Sequence, residues 1–263
     1  MKITIIGAGN IGSAIALGLA KGEMFTASDI TCTDMSEKAL ENMRQTGYDF
    51  MLSTDNTVAV KNADIIILAV KPWKIEPVIA EIKTAIDYEK QIIVSIAAGV
   101  NFKELLSYLT KDDDITPALF WVIPNTAIAV RSSMTFISAY NVSEDQSNLI
   151  VRIFKELGDA MLVNEQLMAA GTSLASSGIA YALRYIRAAI EGGVELGFYP
   201  HEAQSIVVHT VKGAIDLLIE NNSNPEMEID RVTTPGGITI KGLNEMEMSG
   251  FTASIIRGLK ASM

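Results

Sequence analysis

The first twelve residues constrain the fold more than any other stretch of this 263-residue chain. Ile3, Ile5 and Ile6 form a short β-branched run without helical spacing. Gly7, Gly9 and Gly12 then introduce Ile11, Ile15 and Leu19 at four-residue intervals. The pattern predicts a strand, a tight turn and a helix. In a G-x-G-x-x-G loop of this kind the first glycine allows the turn, the second lets backbone approach a pyrophosphate, and the third lets the helix lie close on the strand. The first-turn amides of the helix have no backbone partner and carry partial positive charge, so a diphosphate placed there is hydrogen-bonded and charge-compensated together. Gly7, Ala8, Gly9, Asn10, Ile11 and Gly12 are therefore the expected pyrophosphate loop of a dinucleotide site.

A second strand is predicted over residues 30–33, ending at Asp34, 22 residues past Gly12. A carboxylate there accepts from both ribose hydroxyls of an adenosine and repels a 2′-phosphate, which tilts the cofactor toward NAD. The alternative for Asp34 is a helix cap, because a helix starts at Ser36. Thr33 and Ser36 would serve a phosphate if the loop turned Asp34 away. The apolar run at 64–70 reads as a central strand buried on both faces, ending at Val70, with Lys71 and Pro72 starting the next helix beside the cofactor crevice. Further strands are predicted at 91–96, within 115–123, and at 134–138 and 160–163, with helices led by Asn101 and spanning 144–157. Such alternation means an α/β fold: a Rossmann-type doubly wound sheet with right-handed crossovers, forming a dinucleotide-binding domain over 1–163.

From residue 165 the period changes. Ile179, Leu183, Ile186, Ile190 and Val194 recur at helical spacing before a stop at Gly197. Pro200 starts a helix with Ala203, Val207, Val211, Ala214 and Leu218 on one side, stopped by Asn221 and Asn222. Ile240, Leu243 and Met246 open another helix, and 251–259 forms a last one. Residues 164–263 thus read as an all-helical domain, joined to the first without a linker. Its helix around 180–189 is alanine-rich and apolar over much of its surface, which in so small a domain favours a subunit interface and hence a homodimer.

The formal charge of −10 and pI near 4.8 argue against nucleic-acid or anionic-membrane partners. No apolar run approaches the ~18 residues that span a bilayer. Cys32 is the only cysteine, so no intrachain disulfide forms and a cytoplasmic home is expected; no leader is recognisable before the first strand. Two histidines and one cysteine do not make a familiar metal site, so no metal is expected.

A second glycine-rich turn, Thr234-Pro235-Gly236-Gly237-Ile238-Thr239, stands just before a helix. Its backbone amides suit a substrate carboxylate, and Thr239 presents a hydroxyl in the same first turn. The turn reads equally well as a plain connector with Thr239 as a cap.

At these residues the chain resembles the pyrroline-5-carboxylate reductase family. The loop at 7–12, Val70-Lys71-Pro72, the segment 95–99, Pro124-Asn125-Thr126 and the turn at 234–239 carry the resemblance. Departures are Trp121 where arginine is common, Ile123 for methionine, and Ala127 and Ile179 where the family has proline. The resemblance implies hydride transfer from NADPH or NADH to the C=N carbon of 1-pyrroline-5-carboxylate, a cyclic imine carboxylate, giving L-proline without metal or covalent intermediate. It implies that Thr239 hydrogen-bonds the imine nitrogen and polarises it, an alcohol being a poor acid near neutral pH. It implies that the amides of Gly236, Gly237 and Thr239 hold the carboxylate, and that Asn125 and Lys71, with Val70 and Pro72, line the cofactor side. It also implies a homodimer with interleaved helical domains, in which the substrate turn comes from the partner chain; family members also form rings of dimers. Two other readings stand beside it. A related β-hydroxyacid dehydrogenase would carry a catalytic lysine followed by an asparagine on one helix, a pairing that Lys212 and Asp216 do not offer. A non-catalytic nicotinamide-binding regulator would explain the departures, and the intact turn at 234–239 argues against it.

Overall fold

Isoleucine-rich runs become strands sealed from water on both faces. The computed structural model describes residues 1–111 and 115–263. Strand β1 (Ile3–Ile6) passes through the glycine loop into helix α1 (Asn10–Ala20). Then come β2 (Ile30–Thr33), α2 (Glu37–Arg44), β3 (Met51–Ser53), α3 (Asn56–Val60) and β4 (Ile65–Leu68). A 3₁₀ turn at Pro72–Lys74 leads into α4 (Ile75–Ile82), followed by β5 (Ile92–Ser95), α5 (Phe102–Leu109) and β6 (Ala118–Ile123). β7 (Ser133–Tyr140), α6 (Glu144–Lys155) and β8 (Gly158–Leu162) complete an eight-stranded sheet in the order β3-β2-β1-β4-β5-β6-β7-β8.

Strands β1 to β6 run parallel, the doubly wound arrangement that the alternation predicts. β7 is antiparallel to β6, and β8 is parallel to β7. Chain length explains the reversal. Only residues 124–132 separate β6 from β7, and a parallel return takes a crossover of about a dozen residues or more. A 3₁₀ turn at Thr126–Val130, closed by Arg131 at φ 56°, makes the shorter return.

Alternate residues of one strand serve opposite cores. Ile65 and Ile67 of β4 join the apolar cluster under α1, α2 and α6, with Ile15, Leu19, Leu40 and Phe154. Ile66 and Leu68 join the cluster under α4 and α5, with Ile79 and Leu105. This double burial is why the run shows no alternation of polar and apolar residues. Capping sets the helix starts: Ser36 accepts from the Ala39 amide, and Asn101 and Glu104 form a reciprocal capping box on α5.

The chain divides into two compact units, Met1–Ser176 and Ser177–Met263. The first holds the sheet and the short α7 (Met168–Gly171). The second is helical: α8 (Gly178–Glu195), α9 (Pro200–Glu220), α10 (Pro225–Val232), α11 (Ile238–Met248) and α12 (Phe251–Ala261). Within it α8 and α9 pack together, and a Cβ built on Gly193 would lie 3.0 Å from that of Ala203. Ala203 is the one buried apolar side chain of this unit among the described residues, while Leu183, Ile215, Ile219 and Met248 stand exposed. Among the described residues no helix is long and apolar enough to cross a membrane.

Candidate active site

The glycine loop sorts its three glycines by what surrounds each. Gly7 adopts φ +105°, and its amide donates to the carbonyl of Thr33 at 2.8 Å, tying the loop to the end of β2. A Cβ on Gly7 would fall 2.6 Å from the carbonyl oxygen of Ala69 and 3.1 Å from Val70 Cγ1. A Cβ on Gly12 would fall 1.9 Å from the Gly7 carbonyl oxygen, so helix α1 lies on the loop as closely as backbone allows. Gly9 faces open space, with no atom within 4 Å of a Cβ built there. It is the N-cap of α1, no side chain caps the helix, and its carbonyl accepts from the Ser13 amide at 2.9 Å. The amides of Asn10, Ile11 and Gly12 therefore have no intrahelical acceptor, and the backbone over Gly9 is unobstructed. A diphosphate fits that cradle.

Asp34 is locked beside the same loop. Its Oδ2 accepts from the Ala8 amide at 2.8 Å and its Oδ1 from the Ser36 amide at 2.8 Å. Ser36, not Asp34, caps α2. The carboxylate is thus held at the carboxyl end of β2, with lone pairs left for ribose hydroxyls. Thr33 is closed to a phosphate: it is fully buried, and its hydroxyl donates to Asn56 Oδ1 at 2.6 Å. Asn56 in turn donates to Glu81 Oε2 at 3.0 Å. This Thr33–Asn56–Glu81 chain stiffens the floor beneath Asp34 and escaped the sequence reading, because β3 before it is three half-exposed residues with no apolar run.

At the end of β4, Val70 is half-buried, Lys71 is exposed, and Pro72 takes the first position of the 3₁₀ turn. Asn125, expected on the cofactor side, is held at the turn after β6. It is buried; its Oδ1 accepts from the Ala127 amide at 3.0 Å and its Nδ2 donates to the Ala175 carbonyl at 3.4 Å, so its polar atoms hold the turn after β6. The alanine at 127 matters here, since a proline has no amide to donate. Trp121 is buried in β6 with its indole nitrogen on the carbonyl of Ala97, and Ile123 is buried at the end of the same strand. Ile179 lies in the first turn of α8.

In the helical unit, Gly236 adopts φ +71° and the Gly237 amide donates to the Thr234 carbonyl at 2.9 Å, closing a turn. The Gly237 amide, one of the expected carboxylate donors, is engaged within the turn here. Gly237 is instead the N-cap of α11, and no side chain caps the helix, so the amides of Ile238, Thr239 and Ile240 lack intrahelical acceptors. Thr239 is exposed in this first turn. Position 237 demands glycine for space: a Cβ there would sit 2.5 Å from Thr234 Oγ1. On α9, Lys212 pairs with Asp216 at 2.5 Å along the helix surface. Cys32 is buried, and desolvation pushes its thiol up to about 12. No group of three or more His, Cys, Asp and Glu residues is placed to hold a metal ion among the described residues.

Residues 165–263 match the family model described as pyrroline-5-carboxylate reductase dimerisation, and residues 2–99 match that described as NADP oxidoreductase, coenzyme F420-dependent. The chain is 36% identical over 99% of its length to pyrroline-5-carboxylate reductase 1 of Dictyostelium discoideum, and spans about half (48%) of that longer protein. It is 34% identical to the pyrroline-5-carboxylate reductase of Methanosarcina acetivorans, over 98% of this chain and 94% of that one. The solved pyrroline-5-carboxylate reductase of Coxiella burnetii superposes with a TM-score of 0.90 at 28% identity, over 99% and 95% of the two chains.

Proposed function

The chain belongs to the pyrroline-5-carboxylate reductase family, and from that membership we propose that it reduces the C=N bond of 1-pyrroline-5-carboxylate to L-proline with NADPH or NADH. The observation that carries the reading is the open first turn of α1, where a Cβ on Gly9 meets nothing and one on Gly12 meets the backbone. The bound dinucleotide supplies the hydride. The amides of Asn10, Ile11 and Gly12 hold its diphosphate, and Asp34, fixed by Ala8 and Ser36, takes the ribose hydroxyls. Because that carboxylate would meet a 2′-phosphate charge to charge, NADH is the favoured donor.

The uncapped start of α11 supplies amides for the substrate carboxylate, those of Thr239 and its neighbours Ile238 and Ile240, with Gly236 and Gly237 shaping the turn. The Thr239 hydroxyl hydrogen-bonds the imine nitrogen as that atom gains electron density. Residues 1–163 serve the dinucleotide and 164–263 serve substrate and dimerisation, the division falling where the sheet ends. Exposed apolar residues along α8 and α9 favour a homodimer, of which rings are a further assembly. The single buried cysteine suits a cytoplasmic location.

Loss of reduced-nicotinamide absorbance with pyrroline-5-carboxylate tests the reading, with NADH and NADPH in parallel and Thr239→Ala as control. Turnover that collapses in the variant while dinucleotide binding persists is the expected result. A folded dimer that oxidises neither cofactor would overturn it.

A further inference from the structure

The loop after β5 is anchored at both ends and open between them. Ile6, Leu68, Ser95 and Trp121 lie level across β1, β4, β5 and β6, so this loop leaves the sheet two strands, or roughly 10 Å, from the glycine loop. Asp34 stands on the other side of β1, just past β2. At the near end, the Ile96 amide donates to the Leu68 carbonyl at 3.1 Å, and the Ala97 carbonyl accepts from the buried indole of Trp121 at 3.0 Å. At the far end, Asn101 and Glu104 cap α5, and the Phe102 amide donates at 2.9 Å to Oε1 of Glu165, a residue beyond β8. Phe102 also meets Trp121 edge-on, which joins the two anchors. Between them Ala98 and Gly99 are exposed, Gly99 at φ +80° with no atom within 4 Å of a Cβ built on it.

We propose that Trp121 and Glu165 are positioning residues for hydride transfer: by pinning the two ends of this loop they hold its open tip against the reacting end of the dinucleotide. The proposal rests on the reading of the glycine loop as the pyrophosphate site. With the diphosphate at the start of α1 and the adenosine ribose on Asp34, the rest of the dinucleotide runs the other way from β1, over the ends of β4 and β5. The tip carries no side chain larger than a methyl group, so it can approach a flat ring closely, but its glycine leaves the backbone free to move. Its position is therefore set from outside. A buried indole N–H needs an acceptor, and the first-turn amide of α5 has none within its helix; each demand is met by a bond at one end of the loop. Hydride transfer is steep in distance, a misplacement of about 1 Å costing on the order of 100-fold in rate. Neither residue has to touch the cofactor to act on that distance.

The test compares full-length wild type, Trp121→Phe, Glu165→Ala and Glu165→Gln at a temperature where circular dichroism shows each folded. Two quantities are read: NADH affinity by calorimetry, and the single-turnover rate of NADH oxidation by pyrroline-5-carboxylate. Trp121→Phe and Glu165→Ala are each expected to slow transfer about ten-fold, while NADH affinity stays within about two-fold because the cradle at α1 and Asp34 are untouched. Glu165→Gln keeps an oxygen that accepts from the Phe102 amide, so its rate should return to within about two-fold of wild type. A merely structural role would lower the melting temperature without this split between rate and affinity. Glu165 is exposed, so its variants decide the outcome alone if the buried Trp121→Phe does not fold. If the variants bind NADH and transfer hydride at the wild-type rate, or if affinity falls as far as rate, the positioning role is wrong and the reading of the glycine loop stands. If wild type binds neither NADH nor NADPH, that reading fails and the positioning role with it.

Discussion

The indole nitrogen of Trp121 in β6 donates to the carbonyl oxygen of Ala97, 3.0 Å away, in the loop that follows β5. Both residues are buried, and the indole also meets Phe102 edge-on at 6.4 Å between ring centroids. The tryptophan thus supplies a donor that fixes the loop. Trp121→Phe keeps most of the ring packing and removes the donor from a carbonyl shielded from water. A stability loss of about 1–3 kcal/mol is expected, read from urea unfolding. An unchanged midpoint would mean that the Ala97 carbonyl finds another partner.

Gly9 and Gly12 separate binding from folding. Gly9→Ala places a methyl where the protein has nothing within 4 Å, so unfolding free energy should change by less than about 1 kcal/mol while NADH affinity falls at least ten-fold. Gly12→Ala drives a methyl into the Gly7 carbonyl, and both stability and binding should suffer, the former by about 2 kcal/mol or more. Melting and NADH titration of the two variants check the contrast. Equal loss of stability in both would show that the loop is not held as described.

Sequence made this loop legible because each glycine answers a local steric demand. The β2 boundary at Thr33 and the α5 start at Asn101 were legible for the same reason: an apolar run or a cap marks each. β3 lacked such a mark. α10 carried one, with Pro225 at its first turn and Asn224 accepting from the Met227 amide, but its eight residues lie inside a stretch that reads as a connection. The direction of β7 depends on which strand the chain returns to, and no local residue pattern encodes that. The family resemblance offers the Asn125 side chain and the Gly237 amide as ligand groups, and it does not show their hydrogen bonds within the chain. Their partners, Ala127 and Thr234, lie close in sequence, yet only the folded turn shows that each bond closes.

With the ribose at Asp34, the cofactor preference is expected to follow charge rather than shape. Unit charges about 4 Å apart repel by about 1–4 kcal/mol between bulk water and a protein surface. NADH should therefore exceed NADPH in kcat/KM by about ten-fold or more. Asp34→Ser removes the repulsion, and the ratio should move toward NADPH by a similar factor. The variant also loses the clamp on the Ala8 amide, so affinity for NADH should fall in absolute terms. A ratio that stays constant would place the ribose away from Asp34.

The helical unit leaves many large apolar side chains in water. Leu183 of α8 is 58% exposed and has apolar company along α9 that is also exposed. Burying a leucine contributes about 1.5–3 kcal/mol, and a dimer buries it twice by symmetry. Leu183→Lys should therefore shift the protein to monomer in sedimentation velocity and lower its melting temperature. If the lysine variant remains a dimer of wild-type stability, α8 does not form the interface.

Cys32 gives the fold an alkaline limit. Burial raises its thiol from an ordinary 9.0 to about 12, while the unfolded chain keeps the ordinary value. A group raised on folding contributes its full stability below the unfolded value and loses it as pH rises toward the folded one. Between pH 9 and about 12 the unfolded chain has released a proton that the folded chain retains. Stability then declines by about 1.4 kcal/mol per pH unit on this account alone. Lysines and tyrosines titrate in the same range, so the difference between wild type and Cys32→Ala isolates the thiol. The alanine variant starts lower, because removing a sulfur from the core leaves a void. Its stability should nevertheless fall less steeply above pH 9, and urea midpoints at pH 8 and pH 10 measure the two slopes. Parallel slopes would mean that the thiol ionises in the folded protein, and that water reaches the interior of β2.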